Sequence, residues 1–370
     1  MDGLFQVHEQ RHDSRPNKIG VEKRETHAGS LNDKVAPDAK PCWILREECV
    51  VPRMIGRHSQ KKLPSIFCHL GWFRAGRWPP PCVACPATRK KTLWEAAVTI
   101  PELFSVRGYG AIVTGGASGI GLAFAEAMAE AGARVAIFDL NSKSLNEQID
   151  RMSAKGWDVR GCELDVTNRR AVDDAVAKVA AEFGRLDVVF ANAGIDPGVG
   201  FLGLDGNRPE EGAIENYDDA RWDRNIDVNL NGVFATIRAA ARHMKRGRGG
   251  SIVVTTSVSA YLNEGVIGAA YMAAKAGAAH LMRNAAFELA HYNIRVNAIA
   301  PGFVVTNIGG GWLKQTEVQS SIAATIPIGR MGKTEELKGL AIFLASPASS
   351  YVTGAQIPID GGMGLWMKHS

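Results

Sequence analysis

Three residues of this chain have types and spacing suited to moving a proton: Tyr271, Lys275 and Ser257. Tyr271 and Lys275 are four positions apart in a helical run, and positions i and i+4 share one helix face, so an ammonium can stand beside a phenol. A neighbouring cation lowers a phenol from its ordinary pKa of about 10 and makes it a usable proton acceptor. Ser257 lies fourteen residues upstream of Tyr271, at the end of an apolar strand. Ser259 is the rival serine; Ser257 is favoured because it follows directly on the strand. A Tyr-x-x-x-Lys match alone also describes many solvated helix pairs, so its weight depends on its surroundings.

Those surroundings include a nucleotide signature. Thr114-Gly-Gly-Ala-Ser-Gly-Ile-Gly121 stands between an apolar strand and an amphipathic helix. Gly115, Gly119 and Gly121 permit a tight turn, close approach of backbone to a pyrophosphate and close packing of helix on strand. The helix N-terminus at Ser118 and Ile120 adds amide donors and a favourable dipole for phosphates. Asp139, with Leu140 after it, follows the second strand eighteen residues beyond Gly121. A carboxylate there accepts bonds from ribose hydroxyls and repels a 2′-phosphate, and no Arg or Lys replaces it. Ser118 also stands where a phosphate-binding basic residue would sit. NAD is therefore favoured over NADP, although Asp139 also suits a cap for a helix starting near Asn141.

The elements that must position these groups are short apolar strands alternating with longer helical stretches. The strands are read at 109–114, 134–138, 159–164, 188–191, 251–256, 295–299 and 356–359. Ile120, Phe124, Ala127, Met128 and Ala131 recur at helical spacing between the first two. Such alternation predicts an α/β fold with a doubly wound parallel sheet, Rossmann-like, covered on both faces.

Bulk properties set limits. The chain has 370 residues, 46% of them hydrophobic, which is ample for a core. No run approaches 18 uninterrupted apolar residues, so no transmembrane helix and no membrane partner are expected. Residues 1–100 carry 17 Lys+Arg against 10 Asp+Glu, which leaves 26 against 28 for residues 101–370. The nearly neutral body argues against nucleic-acid affinity. Five of the six cysteines precede residue 100, and a body with only Cys162 fits a reducing, cytoplasmic setting.

Residues 1–100 read as an extension with little structure, or as upstream sequence translated from a misplaced start. They mix basic clusters, a proline run and no sustained period. Cys82-Val-Ala-Cys85 with Cys42, Cys49, Cys68 and His58 or His69 suggests zinc, but a second close-spaced ligand pair is missing, so no metal is expected. The catalytic domain is placed at 101–370.

The ordered motifs Thr114–Gly121, Asp165-Val166, Asn192-Ala-Gly194, Asn229, Ser257, Tyr271-x-x-x-Lys275 and Pro301-Gly302 closely resemble the short-chain dehydrogenase/reductase family, of the single-domain "classical" type. The resemblance covers about residues 103–365, and residues 1–100 have no counterpart in it. It implies a sheet of seven strands in the order 3-2-1-4-5-6-7. It also implies that Asp165 touches the adenine amino group, Val166 lines the adenine pocket, and Asn192, Ala193 and Gly194 pass beneath the cofactor. Ser257 would bond the substrate oxygen, and Tyr271 would be the acid/base. Lys275 would bond the nicotinamide ribose and lower the tyrosine's pKa, with a water held by Asn229 linking it to solvent. Pro301, Gly302, Val304 and Thr306 would border the nicotinamide. A homotetramer or homodimer built on the helices containing 229–244 and 271–289 is the family expectation.

The expected activity is NAD-dependent interconversion of a secondary alcohol and a ketone. A 3-oxoacyl-thioester reductase is the alternative within enzymes, and a non-catalytic nucleotide sensor the alternative outside them. Segments 195–217 and 303–331 are expected to form the substrate pocket, the second as a mobile lid hinged at Gly309-Gly310-Gly311 and carrying Trp312 and Leu313. Arg330 and Lys333 suit either an anionic substrate group or a solvated surface, and Glu264 is equally ambiguous.

Overall fold

The structure, a computed structural model, describes residues 98–195 and 198–365. The expectations for the N-terminal extension, including zinc at Cys82 and Cys85, lie outside the described residues, as do Asp196 and Pro197 of the 195–217 segment.

Seven apolar runs become seven parallel strands: β1 Gly110–Thr114, β2 Arg134–Asp139, β3 Val159–Glu163, β4 Val188–Ala191, β5 Gly250–Thr255, β6 Ile294–Pro301 and β7 Gln356–Ile359. Their order is β3-β2-β1-β4-β5-β6-β7, as the family resemblance implied. Every residue of β1 and β4 is buried, which explains why these strands read as unbroken apolar runs rather than alternating ones. The chain reverses its direction of winding between β1 and β4. Such a switch point leaves a crevice beyond the carboxyl ends of the strands, because the crossovers depart to opposite faces.

The helices are α1 Ile100–Leu103, α2 Gly119–Glu130, α3 Ser142–Ser153, α4 Arg169–Phe183, α5 Asp219–Ile226, α6 Gly232–Met244, α7 Ala269–Leu289, α8 Thr316–Ala323 and α9 Lys338–Ala345. One sheet face packs residues of α4, α6 and α7, and the other packs residues of α2, α3 and α9. In α4, Val172, Val176, Val179 and Phe183 supply the buried stripe, Asn168 caps the start and Gly184 (φ 68°) ends the helix.

One local expectation changes and one element is longer than its expected segment. Asn141, not Asp139, caps α3, its side chain accepting from the Ser144 amide at 3.1 Å. This leaves the Asp139 carboxylate for the mouth of the crevice. The helix expected to contain 229–244 does so, and it runs from Asp219 to Met244 through a π-turn at Asp227–Asn231. Asn229 sits inside that turn, where one extra residue per turn redirects the side chains that follow.

No helix among the described residues is long and apolar enough to cross a membrane. Nor do three His, Cys, Asp or Glu side chains among them converge as a metal site.

On the α2 side of the sheet, Phe124 and Phe190 stack with ring centroids 5.0 Å apart, both fully buried. Phe124→Ala should lower unfolding free energy by about 3–5 kcal/mol, because a cavity of this kind collapses only partly. Urea denaturation followed by circular dichroism would show the loss as a lower midpoint.

Candidate active site

A cleft of about 810 Å³ opens at the switch point, and all twenty residues named above as catalytic or cofactor-binding line it. Its first wall is the turn after β1. Gly115 (φ 64°) and Gly119 (φ 54°) adopt left-handed conformations that favour glycine. At Gly121 a Cβ would strike the Gly115 carbonyl and the Asn192 side-chain amide, so only glycine lets α2 start this close to the strand ends. Ser118 occupies the N-cap position without making a side-chain cap bond, so it competes with no anion for the first-turn amides of α2.

Asp139 closes one end of this wall. Its Oδ2 accepts from the Ala117 amide and its Oδ1 from the Asn141 amide, each at 3.0 Å. The carboxylate is thus pinned by two backbone donors at the cleft mouth, beside the exposed side chain of Leu140. Asp165 is held by its own turn, accepting from the Thr167 amide and hydroxyl at 2.9 and 2.8 Å. Val166 is buried next to it, against Gly232 of α6.

The floor is tied by Asn192. Its Nδ2 donates to the carbonyls of Thr114 and Gly115 at 3.1 and 3.2 Å, and its Oδ1 accepts from the Thr255 hydroxyl at 2.9 Å. The Thr114 hydroxyl donates to the Phe190 carbonyl at 3.2 Å and accepts from the amides of Asn192 and Ala193 at 3.0 and 3.1 Å. The hydrogen bonds by which Thr114 and Thr255 hold this floor are not visible in the sequence, where Thr114 only opens the glycine motif and Thr255 only ends a strand.

Lys275 reaches the floor from α7. It is buried, donates from Nζ to the Thr255 carbonyl at 3.0 Å, and lies 5.4 Å from the centre of the Tyr271 ring. The helical spacing therefore does bring cation and phenol together. Burial also pulls the Lys275 ammonium down to about 8, because the charged form loses its hydration. Asn229, fully buried, accepts at Oδ1 from the Ile195 amide at 3.2 Å and donates at Nδ2 to Asn225 at 3.1 Å. A Cβ on Gly194 would come within 2.8 Å of that Oδ1 and 3.6 Å of Lys275 Nζ, so Gly194 is the gap through which Asn229 and Lys275 approach.

Ser257 and Ser259 are both buried and both line the cleft, and their hydroxyls are 3.1 Å apart. The two serines read as rivals in sequence are thus partners in space. Pro301 ends β6, and the Gly302 amide donates to the Ile359 carbonyl at 2.9 Å, which aims the following segment across the cleft. Thr306 then stands over Gly119, and Val304 is buried below it.

The substrate side differs from expectation. From the described part of segment 195–217, only Ile195 lines the cleft. The rest packs behind the loop before α7: the Leu202 amide donates to the Gly265 carbonyl at 2.9 Å, and Val199 bridges Ile267. That loop, through Ser259, Glu264 and Ile267, supplies the wall instead. Segment 303–331 does contribute Phe303, Asn307, Ile308 and Leu313, and it holds a small apolar cluster of its own around Leu313, Ile322, Ile326 and Met331. Arg330 is committed to Glu336 through two short ion-pair bonds of 2.9 and 2.6 Å, away from this cleft.

Comparison with known proteins agrees with the fold and with the family resemblance. A family model described as enoyl-(acyl carrier protein) reductase matches residues 115–364. Sorbose reductase of Candida albicans is 35% identical over 263 residues, 70% of this chain and 89% of that protein. The 3-oxoacyl-(acyl-carrier-protein) reductase of Thermotoga maritima is 37% identical over 253 residues, 68% of this chain and 96% of that protein. The crystal structure of a gluconate 5-dehydrogenase from Burkholderia cenocepacia, in complex with NADP and tartrate, superposes with a TM-score of 0.64 at 31% identity, over 73% of this chain and all of that one. The chain belongs to the short-chain dehydrogenase/reductase family of oxidoreductases, whose members use nicotinamide cofactors.

The depressed Lys275 value has a consequence for stability. Between about pH 8 and the ordinary value of 10.5 the unfolded chain binds a proton that the folded chain has released, so stability should rise across that window. Below it the fold carries the full cost of a buried ammonium, on the order of 3 kcal/mol. In nucleotide-free protein, Lys275→Met should therefore raise the denaturation midpoint at pH 7 and flatten its increase toward pH 10. Urea titrations at the two pH values check both effects.

Proposed function

We propose that this protein interconverts a secondary alcohol and a ketone by hydride transfer with NAD, and that Tyr271 handles the proton. One observation carries the reading: Asn229, Ser257, Tyr271 and Lys275 line the same cleft as the glycine turn and Asp139. A nucleotide sensor without chemistry has no need for all four.

The glycine turn and the first-turn amides of α2 suit the pyrophosphate, Asp139 the adenosine ribose, and Asp165 with Val166 the adenine. Gly194, Pro301, Gly302, Val304 and Thr306 would flank the nicotinamide, which when bound accepts or supplies the hydride. In oxidation, the Tyr271 oxygen takes the hydroxyl proton of the substrate as its carbon gives up the hydride. The nearby Lys275 favours the phenolate by charge. In reduction the same phenol returns the proton to the carbonyl oxygen, and the Ser257 hydroxyl donates a second bond to the charge developing there. Asn229 holds the floor beside Lys275 through the Ile195 amide.

The choice of NAD rests on the pinned Asp139 carboxylate, whose charge opposes a 2′-phosphate. NADP is the second reading, favoured by the relative solved with NADP. A 3-oxoacyl-thioester substrate is the second reading for the reaction, favoured by the Thermotoga maritima relative. Sorbose and gluconate in the names of other relatives support an alcohol or ketone bearing further hydroxyls. The catalytic unit is confined to residues 101–370. Assembly as a dimer or tetramer through α6 and α7 is supported by Phe234 and Phe287, apolar side chains exposed on those helices. A reducing, cytosolic setting suits the free thiol of Cys162.

Two experiments test the reading. Tyr271→Phe should lose nearly all turnover in an assay for NADH formation on a panel of secondary alcohols while retaining NAD binding by calorimetry; near-normal turnover would refute the assignment. Asp139→Ala should raise the ratio of kcat/KM with NADP to that with NAD by roughly tenfold or more, because one opposing charge is removed at the ribose.

A further inference from the structure

A buried amide that does not line the cleft bears on the cleft floor. Asn225 is 3% exposed and lies four residues before Asn229, inside the helix that runs from Asp219 to Met244. Asparagine is a poor residue for a helix interior and a costly one to bury, and an apolar side chain would serve packing alone better. Its hydrogen bonds give it another use. Asn225 Nδ2 donates to the Arg221 carbonyl at 3.2 Å, and Asn225 Oδ1 accepts from Asn229 Nδ2 at 3.1 Å. Asn229 Oδ1 accepts in turn from the Ile195 amide at 3.2 Å.

Each amide in this chain has one orientation that satisfies its neighbours. The Ile195 N–H can only donate, so it takes the oxygen of Asn229; the Asn229 Nδ2 then needs an acceptor, which Asn225 Oδ1 supplies. A reversed Asn225 would set two NH2 groups against each other and its own oxygen against the Arg221 carbonyl. The Asn229 oxygen held in this way stands near the cation. A Cβ on Gly194 would lie 2.8 Å from Asn229 Oδ1 and 3.6 Å from Lys275 Nζ, so the negative end of the amide dipole and the ammonium share one gap.

Lys275 gains from such a neighbour, because burial lowers its pKa to about 8 and no carboxylate offsets the shift. Of the charged groups that line the cleft, Asp139 and Asp165 lie at the nucleotide end, and Asp223, Arg224 and Asp227 on α5 and the π-turn. Glu264, on the loop before α7, is bonded by the Ser259 hydroxyl. Among the elements packed against α7, α6 carries Arg238 and Arg242, both paired with Asp173, and Arg295 stands at the opposite end of β6. His280, Arg283 and Glu288 of α7 itself lie outside the cleft.

We propose that Asn225 is a positioning residue for proton handling: it holds the Asn229 amide with its oxygen toward Lys275, which keeps that cation charged beside Tyr271. The proposal rests on the reading above, in which Tyr271 takes the substrate proton. Loss of the Asn225 acceptor leaves Asn229 Nδ2 buried without a partner, so the amide turns and its oxygen leaves the cation. Lys275 then gives up its proton more readily, and the Tyr271 phenolate, with less positive charge beside it, forms at higher pH.

The test uses the full chain as wild type, Asn225→Leu, Asn225→Asp and Tyr271→Phe. The kcat for NADH formation on a secondary alcohol at saturating NAD is followed from about pH 6 to about pH 10, and NAD affinity is measured by calorimetry. Wild type should show kcat rising with pH along a limb set by Tyr271. Asn225→Leu fills similar space without an acceptor. It should move that limb up by about half a pH unit to one unit and lower kcat at pH 7 by roughly three- to tenfold, with NAD affinity little changed. Asn225→Asp keeps an accepting oxygen and should move the limb less, or downward. A merely structural role would lower kcat by the same factor at every pH. An unmoved limb in Asn225→Leu would overturn the proposal, as would an upward shift of equal size in Asn225→Asp. Should Asn225→Leu fail to fold by circular dichroism, Asn225→Asp decides alone: a limb moved up by about half a unit or more overturns the proposal, and any other position supports it. Near-normal turnover by Tyr271→Phe would instead defeat the hydride-transfer reading itself.

Discussion

The Asn192 side chain is the interaction on which the cleft depends. It closes the carboxyl ends of three strands at once, bonding β1 through the Thr114 and Gly115 carbonyls and β5 through the Thr255 hydroxyl from its own place at the end of β4. These ends lie where the winding reverses, so no further strand residue satisfies their polar groups. An amide with two donors and one acceptor oxygen matches the available partners, which few other side chains can do. Removing it would leave buried carbonyls unpaired and loosen the turn that Gly115 and Gly121 bring against it.

Lys275 hangs from the same knot. Its ammonium bonds the Thr255 carbonyl, one residue of β5 thereby serving Asn192 through its hydroxyl and Lys275 through its backbone. The position of the cation beside Tyr271 is thus set by the sheet as much as by the i, i+4 spacing on α7. Burial makes that cation costly, a pattern that recurs where an ionisable group is retained for chemistry rather than for stability.

The substrate side shows how an insertion acts indirectly. Segment 198–217 adds almost nothing to the cleft surface, yet it backs the loop bearing Ser259, Glu264 and Ile267. The π-turn at Asp227–Asn231 does the equivalent on the opposite side, turning Asn229 inward from the middle of a long helix rather than from its end. Both devices place polar side chains on rigid backbone, where orientation costs little at the moment of binding.

Much of this was readable in the chain alone, for local reasons. Strand alternation, the strand–glycine turn–helix unit, Asp139 after β2 and the Tyr271–Lys275 spacing are short-range patterns, and each reports a backbone geometry or a shared helix face directly. The sheet order and the membership of all twenty residues in one cleft followed from the resemblance those motifs carry. What only the tertiary structure decided were relations between distant segments. Asn141 rather than Asp139 capping α3, the hydrogen-bonded pair of Ser257 and Ser259, and the amide chain from Asn225 through Asn229 to Ile195 all depend on which atoms meet after the chain has crossed itself. Periodicity names the face a residue shares, but a hydrogen bond needs a partner at a fixed distance, and only packing supplies that partner.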